Sequence, residues 1–269
     1  MNDRSATVDG IGMRWTDQGD GEPVVFLHGI PTSPRLWRHV LPLVTSARCL
    51  AWEMVGYGQS MPAGRERDIS VASQADYLRM WLAHVGIEKP AIVGHDLGGG
   101  VAQIFAARHP EQVSGLVLIN SICYDSWPIP SVKAMQRMPQ ALRQLPDLAI
   151  YPMFVSLLRR GHDDTAIGKE SIREHWEAYE THGAARSLFA QMSALDKRDT
   201  LAIASRLSQL HLPGTVIWGV ADQFQKLRYG QRLAADLGTE LIGIDGGKHF
   251  VPEDHPDQVA AVVNDLLKA

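Results

Sequence analysis

Short, fully apolar runs alternate with amphipathic stretches over the first 120 residues of the chain. An apolar run of strand length without polar alternation is typical of a strand buried on both faces of a parallel sheet. The stretch after Ser70 differs, because its apolar residues recur at intervals of four, three, four and three. This spacing predicts an amphipathic helix with Ser70 as its N-cap. The other expected elements are an opening β-ribbon at 8–15, strands at 23–27, 48–53, 91–93 and 116–119, and a helix through Leu36, Val40 and Leu43.

The alternation stops between residues 125 and 205. This segment has several prolines and helical patterns, but no apolar run that resembles a buried strand. Strands and helices resume at Gly214. Such a pattern predicts an α/β protein with a mostly parallel central sheet flanked by helices. We expect a core domain of residues 1–124 and 206–269, and a helical lid of residues 125–205, inserted after the sixth strand above the carboxyl ends of the strands, where ligands bind.

A sharp turn follows the strand that ends at Val93. The sequence there is Gly94-His95-Asp96-Leu97-Gly98, and a helical pattern begins at once. A strand, a tight turn and a helix, with small residues two positions either side of a central side chain, form the motif called a nucleophile elbow. The central residue is usually serine, but here it is Asp96. The alternative is that Asp96 is an ordinary capping residue, since negative charge is favoured at a helix N-terminus.

Composition limits the classes of partner. With 269 residues, 45% of them hydrophobic, the chain can bury a large core. Its formal net charge of −4 gives no reason to expect a nucleic acid or an anionic membrane as partner. Cys49 and Cys123 lie in apolar runs and are expected to be buried thiols. The first ten residues lack the apolar stretch of a signal peptide and no run is long enough to cross a membrane, so we expect a cytoplasmic protein.

Motifs for cofactors and metals are weak. The run Gly98-Gly99-Gly100 is not followed by the lysine and hydroxyl residue of a phosphate loop. His175 and His182 do not belong to a cluster with the spacing of metal ligands. We therefore expect neither a cofactor nor a metal, and nothing in the pattern indicates an oligomeric state.

Five motifs in order resemble the α/β-hydrolase fold over nearly the whole chain. They are His28-Gly29 after a strand, Gly56-x-Gly58-x-Ser60, the elbow, Trp218-Gly219-x-x-Asp222 and Gly247-x-His249. The order of nucleophile, acid and base is the one that this fold uses. An aspartate as nucleophile narrows the resemblance to the epoxide hydrolases and to the haloalkane and haloacid dehalogenases. The stretch 28–33 is especially similar to the haloalkane dehalogenases.

The resemblance implies a role for each residue of the site. Asp96 would attack an electrophilic saturated carbon and form an alkyl-enzyme ester, because a carboxylate is already ionised at neutral pH. His249 would then activate a water molecule, and Asp222 would orient His249 and stabilise its charged form. The backbone N–H groups of Ile30 and Leu97 would form the oxyanion hole.

Other polar residues near these motifs are weaker candidates. Asn120 occupies the position from which some dehalogenases supply the acid, but an amide cannot carry a negative charge. Asp222 is therefore preferred as the acid, and Asp125 is a distant second. His28 and His95 are expected to brace loops rather than to react.

The leaving group separates two activities within this branch. An epoxide oxygen needs an acid, usually a lid tyrosine, whereas a halide needs N–H donors in an apolar socket. The haloalkane dehalogenases typically have tryptophan directly after the nucleophile and often asparagine after His-Gly, where this chain has Leu97 and Ile30. The resemblance therefore favours an epoxide hydrolase with Tyr151, or next Tyr179, as the acid. A hydrolytic dehalogenase is the alternative.

The expected ligand is a small apolar organic molecule that reacts with water. The expected pocket residues are Trp127, Trp176, Phe189 and Glu53. The two tryptophans could supply an indole N–H to a halide. A third class, a ligand-binding protein that keeps the fold without turnover, is compatible with the fold, but the intact set of Asp96, Asp222 and His249 argues against it.

Overall fold

The computed structural model describes residues 2–137 and 145–268. The segment 138–144, which belongs to the expected lid, and residues 1 and 269 lie outside the described residues.

One sheet of eight strands forms the centre of the protein. The strands are Asn2–Val8 (β1), Ile11–Gln18 (β2), Glu22–Leu27 (β3), Ala47–Glu53 (β4), Ala91–His95 (β5), Gly115–Ile119 (β6), Gly214–Gly219 (β7) and Glu240–Ile244 (β8). Their order in space is β1-β2-β4-β3-β5-β6-β7-β8. The pairs β1–β2 and β2–β4 are antiparallel, and all other neighbours are parallel. The predicted mostly parallel α/β sheet is confirmed.

The central strands are buried on both faces of the sheet. Every residue of β5 and β6 is buried. Along β3, Val24 and Phe26 join one hydrophobic cluster, whereas Val25 and Leu27 join the other. Successive side chains of a strand point to opposite faces, so each of these runs must be apolar throughout.

Helices supply the layers that cover the sheet. They are Val71–Val85 (α1), Leu97–Arg108 (α2), Pro130–Gln136 (α3), Asp147–Gly161 (α4), Thr165–His182 (α5), Ala184–Ser193 (α6), Arg198–Leu201 (α7), Leu227–Leu237 (α8), Val251–Asp254 (α9) and Pro256–Leu266 (α10). The helix predicted after Ser70 is confirmed as α1. The Ser70 side chain accepts a hydrogen bond from the N–H of Ser73, and the helix ends at Gly86, whose φ of 70° suits glycine.

The helix predicted through Leu36, Val40 and Leu43 is wrong. Two short 3₁₀ helices, Pro34–Trp37 and Leu41–Leu43, take its place. Pro42 explains the interruption, because proline has no N–H to donate and its ring collides with the carbonyl four residues earlier in an α-helix.

Among the described residues, five helices, α3 to α7, lie between β6 and β7. The predicted helical lid after the sixth strand is therefore confirmed, while its boundaries at 125 and 205 stay a prediction. The carbonyl of Gly161, the last residue of α4, accepts hydrogen bonds from the N–H groups of His249 (2.9 Å) and Phe250 (3.1 Å). The lid helix α4 is thus fixed to the loop that follows β8.

Across residues 2–137 and 145–268, no helix is long and apolar enough to cross a membrane.

Candidate active site

Asp96 lies in the tight turn between β5 and α2. Its φ of 49° and ψ of −116° are unusual for a residue other than glycine, and such strain occurs at functional turns. The turn is possible only with small neighbours. A Cβ atom on Gly94 would lie 2.6 Å from the carbonyl oxygen of Gly98, and one on Gly98 would overlap the carbonyl of Leu27. The sequence therefore folds here into the geometry of a nucleophile elbow.

The Asp96 carboxylate is buried and its two oxygens have different surroundings. The backbone N–H of Ile30 donates a hydrogen bond to Oδ2 at 3.1 Å. The other oxygen, Oδ1, lies 3.9 Å from Nε2 of His249. One oxygen is thus held by the backbone, while the other faces a potential base.

His249 and Asp222 form the second half of the site. Nδ1 of His249 lies 2.8 Å from Oδ2 of Asp222, so it carries the proton and donates it to the carboxylate. The Asp222 carboxylate also accepts hydrogen bonds from Nδ2 of Asn120 (2.6 Å) and from the N–H of Phe224 (2.7 Å). With Nδ1 bonded to Asp222, the other ring nitrogen, Nε2 of His249, faces Asp96.

Burial and charge shift the pKa values of all three groups. Burial raises the pKa of Asp96, although His249 and the N–H groups of Ile30 and Leu97 oppose the shift. Burial alone would lower the pKa of His249, but the neighbouring Asp222 carboxylate raises it overall. Burial alone would raise the pKa of Asp222, but His249 and the donor from Asn120 hold it below its usual value. Asp222 therefore stays ionised and favours the imidazolium form of His249.

A cavity of about 480 Å³ opens above these groups. Asp96, His249, Ile30 and Leu97 all line it, so the elbow, the base and the expected oxyanion hole share one space. Most of the wall is apolar and comes from the lid, including Trp127, Ile129, Val132, Met135, Met153, Phe154, Leu157, Leu188, Met192 and Leu195. An apolar cavity with a few convergent polar groups is typical of a small-molecule site.

Comparison with known proteins fits this geometry. A family model described as the alpha/beta hydrolase fold matches residues 22–256. The chain belongs to the α/β-hydrolase family. This α/β hydrolase is 28% identical to haloalkane dehalogenase 2 of Mycobacterium tuberculosis, over 93% of the chain and 90% of the relative. It is 27% identical to a soluble epoxide hydrolase of Corynebacterium sp. strain C12, over 94% of the chain and 93% of the relative.

A solved structure of an alpha/beta hydrolase fold protein from Burkholderia ambifaria has the same fold. It superposes with a TM-score of 0.86 at 23% identity and covers 97% of both chains. The enzyme is therefore an α/β hydrolase related to haloalkane dehalogenases and to an epoxide hydrolase.

The two lid tyrosines do not line the hydrolase cavity. Tyr151 lies on α4 with 38% of its surface exposed, and its ring packs against Trp176. Residues 153, 154, 156, 157 and 160 of the same helix line the cavity, and 3.6 residues per turn centre this set on the side of the helix opposite Tyr151. Tyr179 is buried and donates its hydroxyl proton to Oε1 of Gln191 at 2.6 Å. The prediction of these two residues as acids in the pocket is thus corrected.

Three of the four predicted pocket residues also lie elsewhere. Trp176 and Phe189 pack with the lid core rather than the cavity wall. Glu53 lines a separate polar cleft beside Arg14, and burial raises its pKa to about 7. Of the four, only Trp127 lines the cavity above Asp96. Sequence pattern placed these residues in the lid or at a strand end, but could not give the rotation of each helix.

The indole N–H of Trp127 is not available to a ligand. It donates to Oγ1 of Thr200 at 2.8 Å, and the Thr200 hydroxyl in turn donates to the carbonyl of Tyr124. Trp127 therefore contributes an apolar surface to the cavity.

The histidines beside the site brace its loops. Nδ1 of His28 lies 3.0 Å from the carbonyl oxygen of Gly29, and Nε2 accepts the N–H of Met54. Nε2 of His95 lies 2.9 Å from the carbonyl of His249. Burial lowers the pKa of both His28 and His95 to about 3, so both are neutral.

Three polar residues of the site were not predicted. Asn120 holds Asp222 from β6, and its Oδ1 accepts the N–H of Gly219. Its place directly after a strand at the site edge was a usable signal. Gln225 and Arg160 line the cavity. Gln225 follows Asp222 by three residues, whereas Arg160 had no signal because its position depends on how α4 packs.

The remaining acid candidate lies away from these groups. Asp125 accepts a hydrogen bond from the hydroxyl of Tyr229 at 3.2 Å in an exposed position.

Proposed function

We propose that the enzyme hydrolyses a bond between a saturated carbon and a leaving group through an ester on Asp96. The observation that carries this proposal is the arrangement of the two Asp96 oxygens, with Oδ2 bonded to the N–H of Ile30 and Oδ1 beside His249. Oδ1 attacks the carbon, a new C–O bond forms, and the bond to the leaving group breaks with its electron pair going to that group. Asp96 needs no base for this step because it reacts as the carboxylate.

Water releases the product in the second step. Nε2 of His249 takes a proton from water, and the water oxygen bonds to the carboxyl carbon of Asp96. The negative charge that develops on Oδ2 is stabilised by the N–H groups of Ile30 and Leu97. Collapse of this intermediate breaks the ester, the product oxygen takes the proton from His249, and Asp96 is left as the carboxylic acid. Loss of its remaining proton to solvent by way of His249 restores the Asp96 carboxylate. Asp222 stabilises the imidazolium in between.

We propose a halide as the first candidate for the leaving group. None of the six tyrosines of the chain is among the described residues that line the cavity, so the cavity offers no phenol to protonate an epoxide oxygen. It does offer the side-chain amide of Gln225, which is buried and lines the cavity. An amide N–H can stabilise a departing halide without giving up its proton.

The position of Gln225 is well defined. Its backbone N–H donates to Asp222, and its carbonyl accepts the indole N–H of Trp218. Epoxide hydrolysis is the second candidate, supported by the 27% identity to an epoxide hydrolase.

A substrate panel with isotopic water tests the proposal. Haloalkanes and epoxides of matched carbon skeleton are scored for released halide and for diol. A single turnover of an active substrate in ¹⁸O water is followed by mass spectrometry of the peptide that contains Asp96. We expect halide release and ¹⁸O in the Asp96 carboxylate. Turnover without label in that peptide would exclude the ester mechanism, and no turnover of either class would favour a ligand-binding role.

Replacing the Gln225 amide is expected to slow the first step. In Gln225→Leu the rate of halide release should fall by about 10²- to 10³-fold, as for the loss of one donor to a developing negative charge. Hydrolysis of the ester, once formed, should keep its rate. Stopped-flow measurement of both steps separates them. Gln223→Leu is the matched control, because Gln223 is exposed in the same loop. An equal loss in both variants, or a loss in ester hydrolysis alone, would remove Gln225 from this role.

A further inference from the structure

One side chain of lysine or arginine type stands in the mostly apolar wall of the cavity. Among the described lining residues, Arg160 is the only lysine or arginine. It is exposed, so it lies where the cavity meets solvent. A charge in this position can meet an anionic group without requiring that group to be buried.

The backbone of Arg160 has a fixed position relative to the base. It precedes Gly161, whose carbonyl accepts the N–H groups of His249 and Phe250. A Cβ atom on Gly161 would overlap the ring of Phe250, so the helix approaches this loop as closely as glycine allows. Movement of α4 away from the active site would therefore break two hydrogen bonds to the loop that carries His249.

The side chain of Arg160 is directed toward the same loop. Its guanidinium carbon lies 5.2 Å from the centre of the Phe224 ring. The Phe224 ring meets the His249 ring edge to face, with centres 5.2 Å apart. Because Phe224 is close to both groups, the Arg160 guanidinium lies near the His249 ring.

Within the part of the chain that the structure describes, Arg160 has no acidic partner. Five arginines form ion pairs within the described residues, namely Arg38, Arg48, Arg108, Arg198 and Arg232, and Arg160 is not among them. The face of its guanidinium contacts Phe224, while its N–H groups stay free to donate along the edge. Two parallel N–H donors match the geometry of a carboxylate.

We propose that Arg160 binds the carboxylate of an anionic substrate whose apolar chain fills the cavity and whose reactive carbon reaches Asp96. The proposal rests on the proposed function and names its substrate class as halogenated carboxylic acids rather than neutral haloalkanes. Placing the carboxylate at the cavity mouth also keeps two negative charges apart, since the nucleophile is itself a carboxylate. The distance between Arg160 and Asp96 then selects the length of the chain.

A binding measurement tests this site without chemistry. Saturated alkanoates from butanoate to decanoate, which carry no leaving group, are titrated into the enzyme by calorimetry and compared with their primary amides. The wild type should prefer the carboxylate, with an optimum at an intermediate chain length. In Arg160→Gln the affinity for the carboxylate should fall roughly tenfold, while the affinity for the amide stays unchanged. Arg159→Gln is the matched control, because the neighbouring Arg159 is exposed and does not line the cavity.

A second arm uses ω-bromoalkanoates and 1-bromoalkanes of equal length as substrates. Arg160→Gln should raise KM for the acids and leave that for the neutral compounds unchanged. Equal affinity of the wild type for acid and amide, or an equal loss in Arg159→Gln, would overturn the proposal. Specific alkanoate binding without turnover of any halide would instead retain the Arg160 site and refute the proposed function. Turnover of neutral compounds with no preference for acids would refute the Arg160 site and retain the proposed function.

Discussion

His249→Gln should stop turnover after the first step and leave the ester on Asp96. Glutamine cannot take a proton from water, so the second step should slow by at least about 10³-fold. The first step should continue, because Asp96 attacks as a carboxylate and needs no base. One equivalent of leaving group per enzyme should appear in a burst. Intact-mass spectrometry should show a mass increase equal to the substrate without its leaving group.

Two control variants show whether the adduct depends on Asp96 and whether the loss of turnover is specific to His249. Asp96→Ala should show neither burst nor adduct, and His84→Gln, at an exposed position of α1, should keep normal turnover. Peptide mapping should place the adduct on the peptide that contains Asp96. A fully active His249→Gln enzyme, or an adduct on another peptide, would contradict the mechanism. Such a result would not affect the proposed carboxylate site at Arg160, because the alkanoate titration measures binding alone.

The ester itself should change the titration of the base. In the free enzyme, the charges of Asp222 and Asp96 both raise the pKa of His249. Esterification removes the charge on Asp96 and leaves that of Asp222. The pKa that governs ester hydrolysis should therefore lie below the pKa of His249 in the free enzyme. This shift favours the neutral imidazole at the moment when a base is needed.

The elements that could be predicted are those that depend on chain order and local pattern. Apolar runs predict strands because both faces of a central strand are buried. Parallel strands bring their carboxyl ends to one edge, so the turns that hold Asp96, Asp222 and His249 are expected to be close although they are distant in sequence. The elbow is a local signal, since its glycines are demanded by backbone contacts within and beside the turn.

The sequence does not predict which lid side chains face the cavity. Tyr151 and Arg160 lie on the same helix, yet only Arg160 faces the cavity. Their orientation follows from contacts between distant segments, above all the hydrogen bonds from His249 and Phe250 to Gly161. A helical pattern gives the relative angle of two residues, but the direction of the helix face depends on such contacts. This is why the position of Asp96 in the elbow could be predicted from the sequence, whereas the lid residues that line the cavity could not.

A buried cluster of charges links the lid to the core. Its centre is Glu253, which is 1% exposed. Oε2 of Glu253 accepts the hydroxyl of Ser171 at 2.7 Å, and Oε1 pairs with Arg38. Nε2 of His162 and Nε2 of His175 each lie 3.4 Å from a carboxylate oxygen of Glu253. Burial alone would raise the pKa of Glu253, but these partners hold it well below its usual value.

Removing this charge is expected to have the largest effect on stability. Glu253→Gln leaves the positive charges of Arg38 and His162 buried without their shared partner, which costs about 3–5 kcal/mol. The melting temperature should fall by roughly 10 °C, since about 2–4 °C is lost per kcal/mol in a protein of this size. Glu170→Gln is the matched control. It removes the other carboxylate that pairs with Arg38, but this one is 31% exposed and should be worth less than about 1 kcal/mol.

The pH dependence of stability distinguishes loss of this ion pair from a general packing defect. Burial alone would lower the pKa of His162, but Asp254 and Glu253 raise it from 6.5 to about 9. A base whose pKa is raised on folding stabilises the folded state fully below its unfolded pKa and loses that contribution as the pH rises through its folded pKa. Wild-type stability should therefore decline between pH 6.5 and about 9. In Glu253→Gln only Asp254 remains beside His162, so the decline should be smaller and finish at lower pH. An unchanged decline in the variant would mean that Glu253 acts through packing rather than charge.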